Sequence, residues 1–137
     1  MLKISMHEII QKIRKAKIRA KDFDLVVGIG RNGLIPALVL ASKLKKELGV
    51  IKIKLYKDGM KPKKLFSEPK ILSQPKIKIK GKRILLVDDV VRTESTMNSA
   101  KKFLEGKGAK KVEKFALVGS KKYCLVKCME CAKLPWN

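Results

Sequence analysis

The stretch ILLVDDVVRTESTM, residues 84–97, holds four apolar residues, then two adjacent aspartates, and soon after them a hydroxyl-rich run, Thr93-Glu94-Ser95-Thr96. The chain carries 34 Lys and Arg against 12 Asp and Glu, so acid is scarce. Two carboxylates side by side at Asp88 and Asp89 therefore demand a chemical reason. Arg83 to Val87 is a short apolar run of the kind that forms a strand buried on both faces. Ser95 to Lys107 reads as a helix, ended by Gly106 and Gly108. The aspartates thus stand at the carboxyl end of a buried strand, just before a helix begins.

Outward from this stretch, strand and helix patterns alternate. Ser5 and Glu8 form a capping box, and apolar residues recur at helical spacing through Ile9, Ile10, Ile13, Ala16 and Ala20, so residues 6–21 are expected to be an amphipathic helix. Asp24 to Gly30 reads as a second buried strand, Arg31-Asn32-Gly33 as a turn, and Leu34 to Leu48 as a helix with Pro36 in its first turn and Gly49 as its stop. Val50 to Tyr56 and Lys76 to Lys80 alternate strictly, as strands with one wet face do, and are expected at or near a sheet edge. Residues 57–75, with three prolines and a glycine, read as a long loop of the kind that serves as a lid. Val112 to Val118 and Tyr123 to Lys127 complete the strands. The expected fold class is α/β, a mainly parallel sheet of about five strands flanked by helices, in one domain spanning residues 1–137.

The formal net charge is +22. Such a surface attracts polyanions: nucleic acid, acidic membrane or phosphorylated metabolites. The excess is mostly Lys with few aromatics interleaved, which suits solvated surface as well as it suits RNA binding. Cys124, Cys128 and Cys131 cluster near the end, yet His7 is the one histidine and lies at the other end, so small apolar packing competes with a metal site. No apolar run approaches the roughly 18–20 residues of a membrane span, and the first residues lack a signal-peptide pattern. A cytoplasmic protein is expected.

In a doubly wound sheet, ligands bind at the carboxyl ends of strands. Two such ends carry unusual loops here, Gly30 to Gly33 and Asp88 to Thr96. At the second, backbone N–H groups of a helix start converge with the hydroxyls of Thr93, Ser95 and Thr96 to form a phosphate cradle. Asp88 and Asp89 lie where a sugar attached to that phosphate would sit, and carboxylates accept hydrogen bonds from vicinal hydroxyls or hold a hydrated Mg2+. The plain alternative is an ordinary capped helix after a strand.

RILLVDDVVRTESTM resembles the phosphoribosyl-pyrophosphate (PRPP) signature of type I phosphoribosyltransferases: a strand, two acidic residues and a T-G-x-T loop. DLVVGIGRNGLIPALVLASKL is similar to the strand, pyrophosphate loop and helix of bacterial and archaeal xanthine, guanine and hypoxanthine transferases, and the closing LPWN to their FPWE. The likeness covers most of residues 22–137. It implies the type I fold with a small hood, and transfer of a phosphoribosyl group from PRPP to a purine-like nucleobase, with Mg2+ accompanying PRPP. It makes Asp88, Asp89 and Arg31 the catalytic candidates, with Asp88 and Asp89 on the ribose hydroxyls and beside the Mg2+. Thr93, Glu94, Ser95 and Thr96 would hold the 5-phosphate, and Gly30, Arg31, Asn32 and Gly33 the pyrophosphate. Residues 57–75 would be the lid, and two copies would pair.

Three positions depart from that pattern. Arg92 stands where purine-type members place an aspartate near purine N7. Glu94 replaces the loop glycine and sets a negative charge beside a dianion, so phosphate affinity should suffer. Cys131 falls where an aromatic stacks on the base, while Lys121 or Lys122 is the candidate for a base carbonyl. A non-catalytic protein on the same fold, binding PRPP, a nucleotide or RNA in a regulatory role, is the competing reading.

Overall fold

The computed structural model describes residues 2–56, 65–73, 75–128 and 132–137. Among them the elements run β1 (Leu2–Lys3), α1 (Met6–Lys15), β2 (Leu25–Ile29), α2 (Gly30–Leu44), β3 (Glu47–Tyr56), β4 (Leu65–Ser73), β5 (Arg83–Val91), α3 (Ser95–Gly106), β6 (Lys111–Gly119), β7 (Cys124–Lys127) and β8 (Ala132–Lys133), with a 3-10 turn at Ala20–Asp22. The main sheet has the order β4-β3-β2-β5-β6-β7. Five of these strands are parallel, and β4 alone runs antiparallel, against β3. This is the expected mainly parallel α/β sheet, with one further strand on its edge.

Side-chain alternation divides the core between two faces of the sheet. On one face, Val26, Leu85, Val87 and Leu117 pack with Ile9 and Ile13 of α1 and with Ala37, Leu40 and Leu44 of α2. On the other, Leu25, Val27, Ile84 and Leu86 pack with Met97, Ala100 and Leu104 of α3. Both faces of β2 and β5 are covered, which is why their sequences are almost unbroken apolar runs. The two site-bearing strands are locked together at their starts. Arg83 donates from Nε and Nη2 to the two Asp24 oxygens at 3.0 and 2.9 Å, and its backbone N–H donates to the same carboxylate at 2.9 Å. That fork fixes the register in which Gly28 lies beside Val87, so the ends of β2 and β5 emerge side by side.

Several boundaries differ from the sequence reading. Helix α1 stops at Lys15 instead of continuing to residue 21; Lys43 Nζ takes the carbonyl oxygens of Ile13 and Ala16, at 2.9 and 2.7 Å, and so satisfies its end. Arg31-Asn32-Gly33 is the first turn of α2 and not a separate turn; Gly30, at φ +64°, makes the bend before it. Helix α2 ends at Leu44, with Lys45 left-handed at φ 56°, and Gly49 lies inside β3. Lys76 to Lys80 is not a strand, although Ile79 is buried and Ile77 packs on the α3-side core. Of the expected loop 57–75, residues 65–73 form β4, and 57–64 and 74 lie outside the described residues. The chain closes with β8 beside β1 in a small parallel pair, anchored by the buried Leu134.

Candidate active site

The two loops singled out in the sequence meet at one place. A Cβ built on Gly33 would lie 2.9 Å from the Val87 carbonyl oxygen and 3.4 Å from both Cα and Oδ1 of Asp88. The first turn of α2 therefore touches the end of β5, and only a glycine allows that approach. Gly30 is half-buried, and Arg31 and Asn32 are exposed.

The two helix starts at this end share a property that α1, whose start lies elsewhere, lacks. Helix α1 carries a complete capping box, with Ser5 Oγ accepting from Glu8 N at 3.2 Å and Glu8 reaching back to Ser5 N. In α2 and α3 neither N-cap side chain takes the first N–H groups, and the dipole of such a helix start favours an anion. The hydroxyls of Thr93, Ser95 and Thr96 lie in the same turn, Thr93 and Ser95 exposed and Thr96 partly so.

Asp88 and Asp89 are held differently. Asp89 is 8% exposed, the one buried charged residue among those described. Its Oδ1 accepts from Val90 N at 2.7 Å, and its Oδ2 accepts from Trp136 Nε1 at 3.1 Å. Asp88 Oδ1 accepts from Asp89 N at 2.8 Å. Asp88 is half-buried, and the desolvation of its carboxyl first, and then the neighbouring Asp89 charge, push it well above the usual carboxylate range. Two adjacent carboxylates in a confined place concentrate negative charge, and hydroxyl donors or a hard cation would relieve it.

Arg92 is exposed at the tip of the loop. Glu94 is the N-cap residue of α3, but its carboxylate is engaged elsewhere: Tyr123 Oη donates to Oε1 at 2.9 Å and Lys114 Nζ lies at 3.5 Å. The Tyr123 hydrogen bond, followed by the Lys114 and Lys121 charges, holds the Glu94 carboxyl below its usual range, whereas burial and the bond to Glu94 raise the Tyr123 phenol. Lys121 and Lys122 are exposed in the β6–β7 connection. Cys131 lies outside the described residues. Cys124 is buried, its Sγ 2.7 Å from where a Gly119 Cβ would be, and Cys128 is half-buried. Trp136, Tyr123 and Lys114 are site neighbours that the sequence reading did not assign.

The profile of the phosphoribosyl transferase domain family matches residues 2–134. The chain belongs to this family. The purine phosphoribosyltransferase from Pyrococcus horikoshii superposes with a TM-score of 0.78 at 28% identity, covering 100% of this chain and 95% of that one. The orotate phosphoribosyltransferase of Sulfurisphaera tokodaii is 30% identical over 102 residues, 74% of this chain and 47% of its own. The adenine phosphoribosyltransferase of Mycobacterium tuberculosis is 32% identical over 101 residues, 66% of this chain and 45% of its own. This phosphoribosyl transferase domain thus spans about half the length of the curated relatives it matches. No helix among its described residues is long and apolar enough to cross a membrane.

Proposed function

We propose that the protein transfers the 5-phosphoribosyl group of PRPP to a nitrogen of a purine-like nucleobase. The bond from ribose C1 to the pyrophosphate oxygen breaks, a C1–N bond forms, and the base nitrogen loses its proton. Asp88 and Asp89 accept hydrogen bonds from the ribose hydroxyls. Thr93, Ser95, Thr96 and the N–H groups of residues 93–96 receive the 5-phosphate. Arg31, with the backbone of Gly30 to Gly33, receives the leaving pyrophosphate, where stabilised charge and fixed orientation lower the barrier. Lys121 or Lys122, with Arg92 and Cys131, would border the base.

The observation that carries this reading is the pair of uncapped helix starts flanking Asp88, at strand ends joined by the Gly33 contact. The purine phosphoribosyltransferase likeness over the whole chain supports the substrate class. The donor set suits Mg2+, a hard cation usually held by one or two carboxylates together with phosphate oxygens and water. No group of three metal-ligating side chains occurs among the described residues, so Asp88 and Asp89 would share the ion with PRPP. When bound it neutralises pyrophosphate charge. Pairing of two copies, which would enlarge the buried core of a small chain, and a cytoplasmic location belong to the same proposal. The test is pyrophosphate release from PRPP and Mg2+ across a panel of purine and pyrimidine bases. Release with a purine base supports the reading, and release with no base, or with pyrimidines alone, contradicts it.

One observation favours the second reading, a non-catalytic sensor of PRPP, nucleotide or RNA. Arg92, in place of an aspartate, offers no carboxylate to the base. PRPP binding without turnover of any base would select it.

A further inference from the structure

Glu94 sits at the N-cap of α3 and makes no capping bond. That is unexpected on electrostatic grounds. A carboxylate at a helix start gains from the free N–H groups and from the helix dipole, so this one would be expected to turn inward. It is instead turned to Tyr123 and Lys114. Tyr123 stands just before β7, and its hydroxyl donates to Glu94 Oε1 at 2.9 Å. Lys114 projects from β6 and lies 3.5 Å from the same oxygen. Lys114 also donates to Asn98 on the next turn of α3, and its ammonium is 5.5 Å from the Tyr123 ring centre. These groups form one connected cluster, and each fixes the next.

We propose that Tyr123 and Lys114 are positioning residues that hold the Glu94 carboxylate out of the phosphate cradle, so that the chain does not occupy its own anion site. The inference rests on the reading of residues 93–96 as that cradle. Without the tether, Glu94 would fold onto the N–H groups of the first α3 turn and compete with phosphate as an internal anion at high effective concentration. With it, the charge is partly neutralised by Lys114 and directed away from the site. The tether also joins the phosphate loop to the β6–β7 connection that carries Lys121 and Lys122.

A double-mutant cycle with inorganic phosphate and PRPP as probes, read by calorimetry, tests this. Tyr123→Phe removes one hydroxyl and keeps the ring, and should weaken the binding of both probes by about three- to tenfold. Glu94→Gln should bind both at least as well as the parent, and adding Tyr123→Phe to it should change nothing further. Lys114→Gln provides a second route and should also weaken binding only when Glu94 is present. Without phosphate, carboxyl NMR of Tyr123→Phe should show Glu94 still titrating below its ordinary range, because the α3 N–H groups replace the Tyr123 donor, whereas a carboxyl merely released to solvent would titrate in the ordinary range. If Tyr123→Phe and Lys114→Gln both bind phosphate like the parent, or lose as much in the Glu94→Gln background, the tether is overturned while the cradle stands. If neither the parent nor Glu94→Gln binds phosphate or PRPP, the cradle reading falls and the tether falls with it.

Discussion

Asp88 is where function and stability oppose each other. Its carboxyl titrates higher in the folded chain than in the unfolded one, because burial and the Asp89 charge both disfavour ionisation. The stability linked to the protonated form is therefore complete below the ordinary carboxylate range and lost as pH rises through the folded value. Asp88→Asn keeps an oxygen for Asp89 N and removes the charge. It should raise the melting temperature by about 2–5 °C at about pH 7–8, and the gain should vanish near about pH 3. A thermal melt series across pH checks this. The neighbouring Asp89 gives a second handle, since Trp136 donates to it and is the one tryptophan of the chain. A sugar hydroxyl arriving at Asp89 should alter Trp136 emission, whereas inorganic phosphate should leave it unchanged; a fluorescence titration with both distinguishes them. At this scale the sequence showed the aspartates and hydroxyls, because they are adjacent along the chain. It could not show that Trp136 reaches Asp89 or that Tyr123 reaches Glu94, since those partners are 47 and 29 residues apart. No local pattern encodes such pairs.

Among the elements, the contact between the first turn of α2 and the end of β5 decides whether a site exists. Gly33→Ala would place a methyl group 2.9 Å from the Val87 carbonyl oxygen. Backbone cannot yield as a flexible side chain does, so the cost should be about 1–3 kcal/mol. Denaturant unfolding should register that loss, together with weaker PRPP binding as the two loops separate. The elements themselves were largely legible where burial is local. The apolar runs of β2 and β5 and the spacing of Met97, Ala100 and Leu104 each report which faces are covered. Lys76 to Lys80 misled because a period of two reports alternating burial and not strand pairing; Ile79 is buried against strand residues of the α3-side core, but residues 76–80 form no strand themselves. Strand β4 was hidden for the opposite reason. Pro69 lies within it and lacks an N–H, and an edge strand tolerates that loss. The end of α1 was misplaced because Ala16 and Ala20 continue the spacing, while the satisfied carbonyls depend on Lys43 of another helix.

For the whole molecule, the net charge of +22 bears on encounter more than on recognition. A positive field draws PRPP toward the site, and salt screens it. The PRPP association rate, followed in stopped flow by Trp136 emission, should fall several-fold between about 20 and 200 mM salt. The expected pairing should appear as a dimer in sedimentation at micromolar concentration, and a monomer alone would count against it. The central claim is that the end of β5 and the start of α3 together grip a phosphorylated ribose. Calorimetry with PRPP and Mg2+, set beside inorganic phosphate, tests it most directly in the parent and in the Asp88→Asn, Asp89→Asn double variant. The double variant should lose about tenfold or more in PRPP affinity, since each lost charged hydrogen bond is worth about 1.5–3 kcal/mol, and should keep the parent affinity for phosphate. Equal PRPP binding by parent and variant would contradict the claim and leave residues 84–97 as a strand followed by a helix.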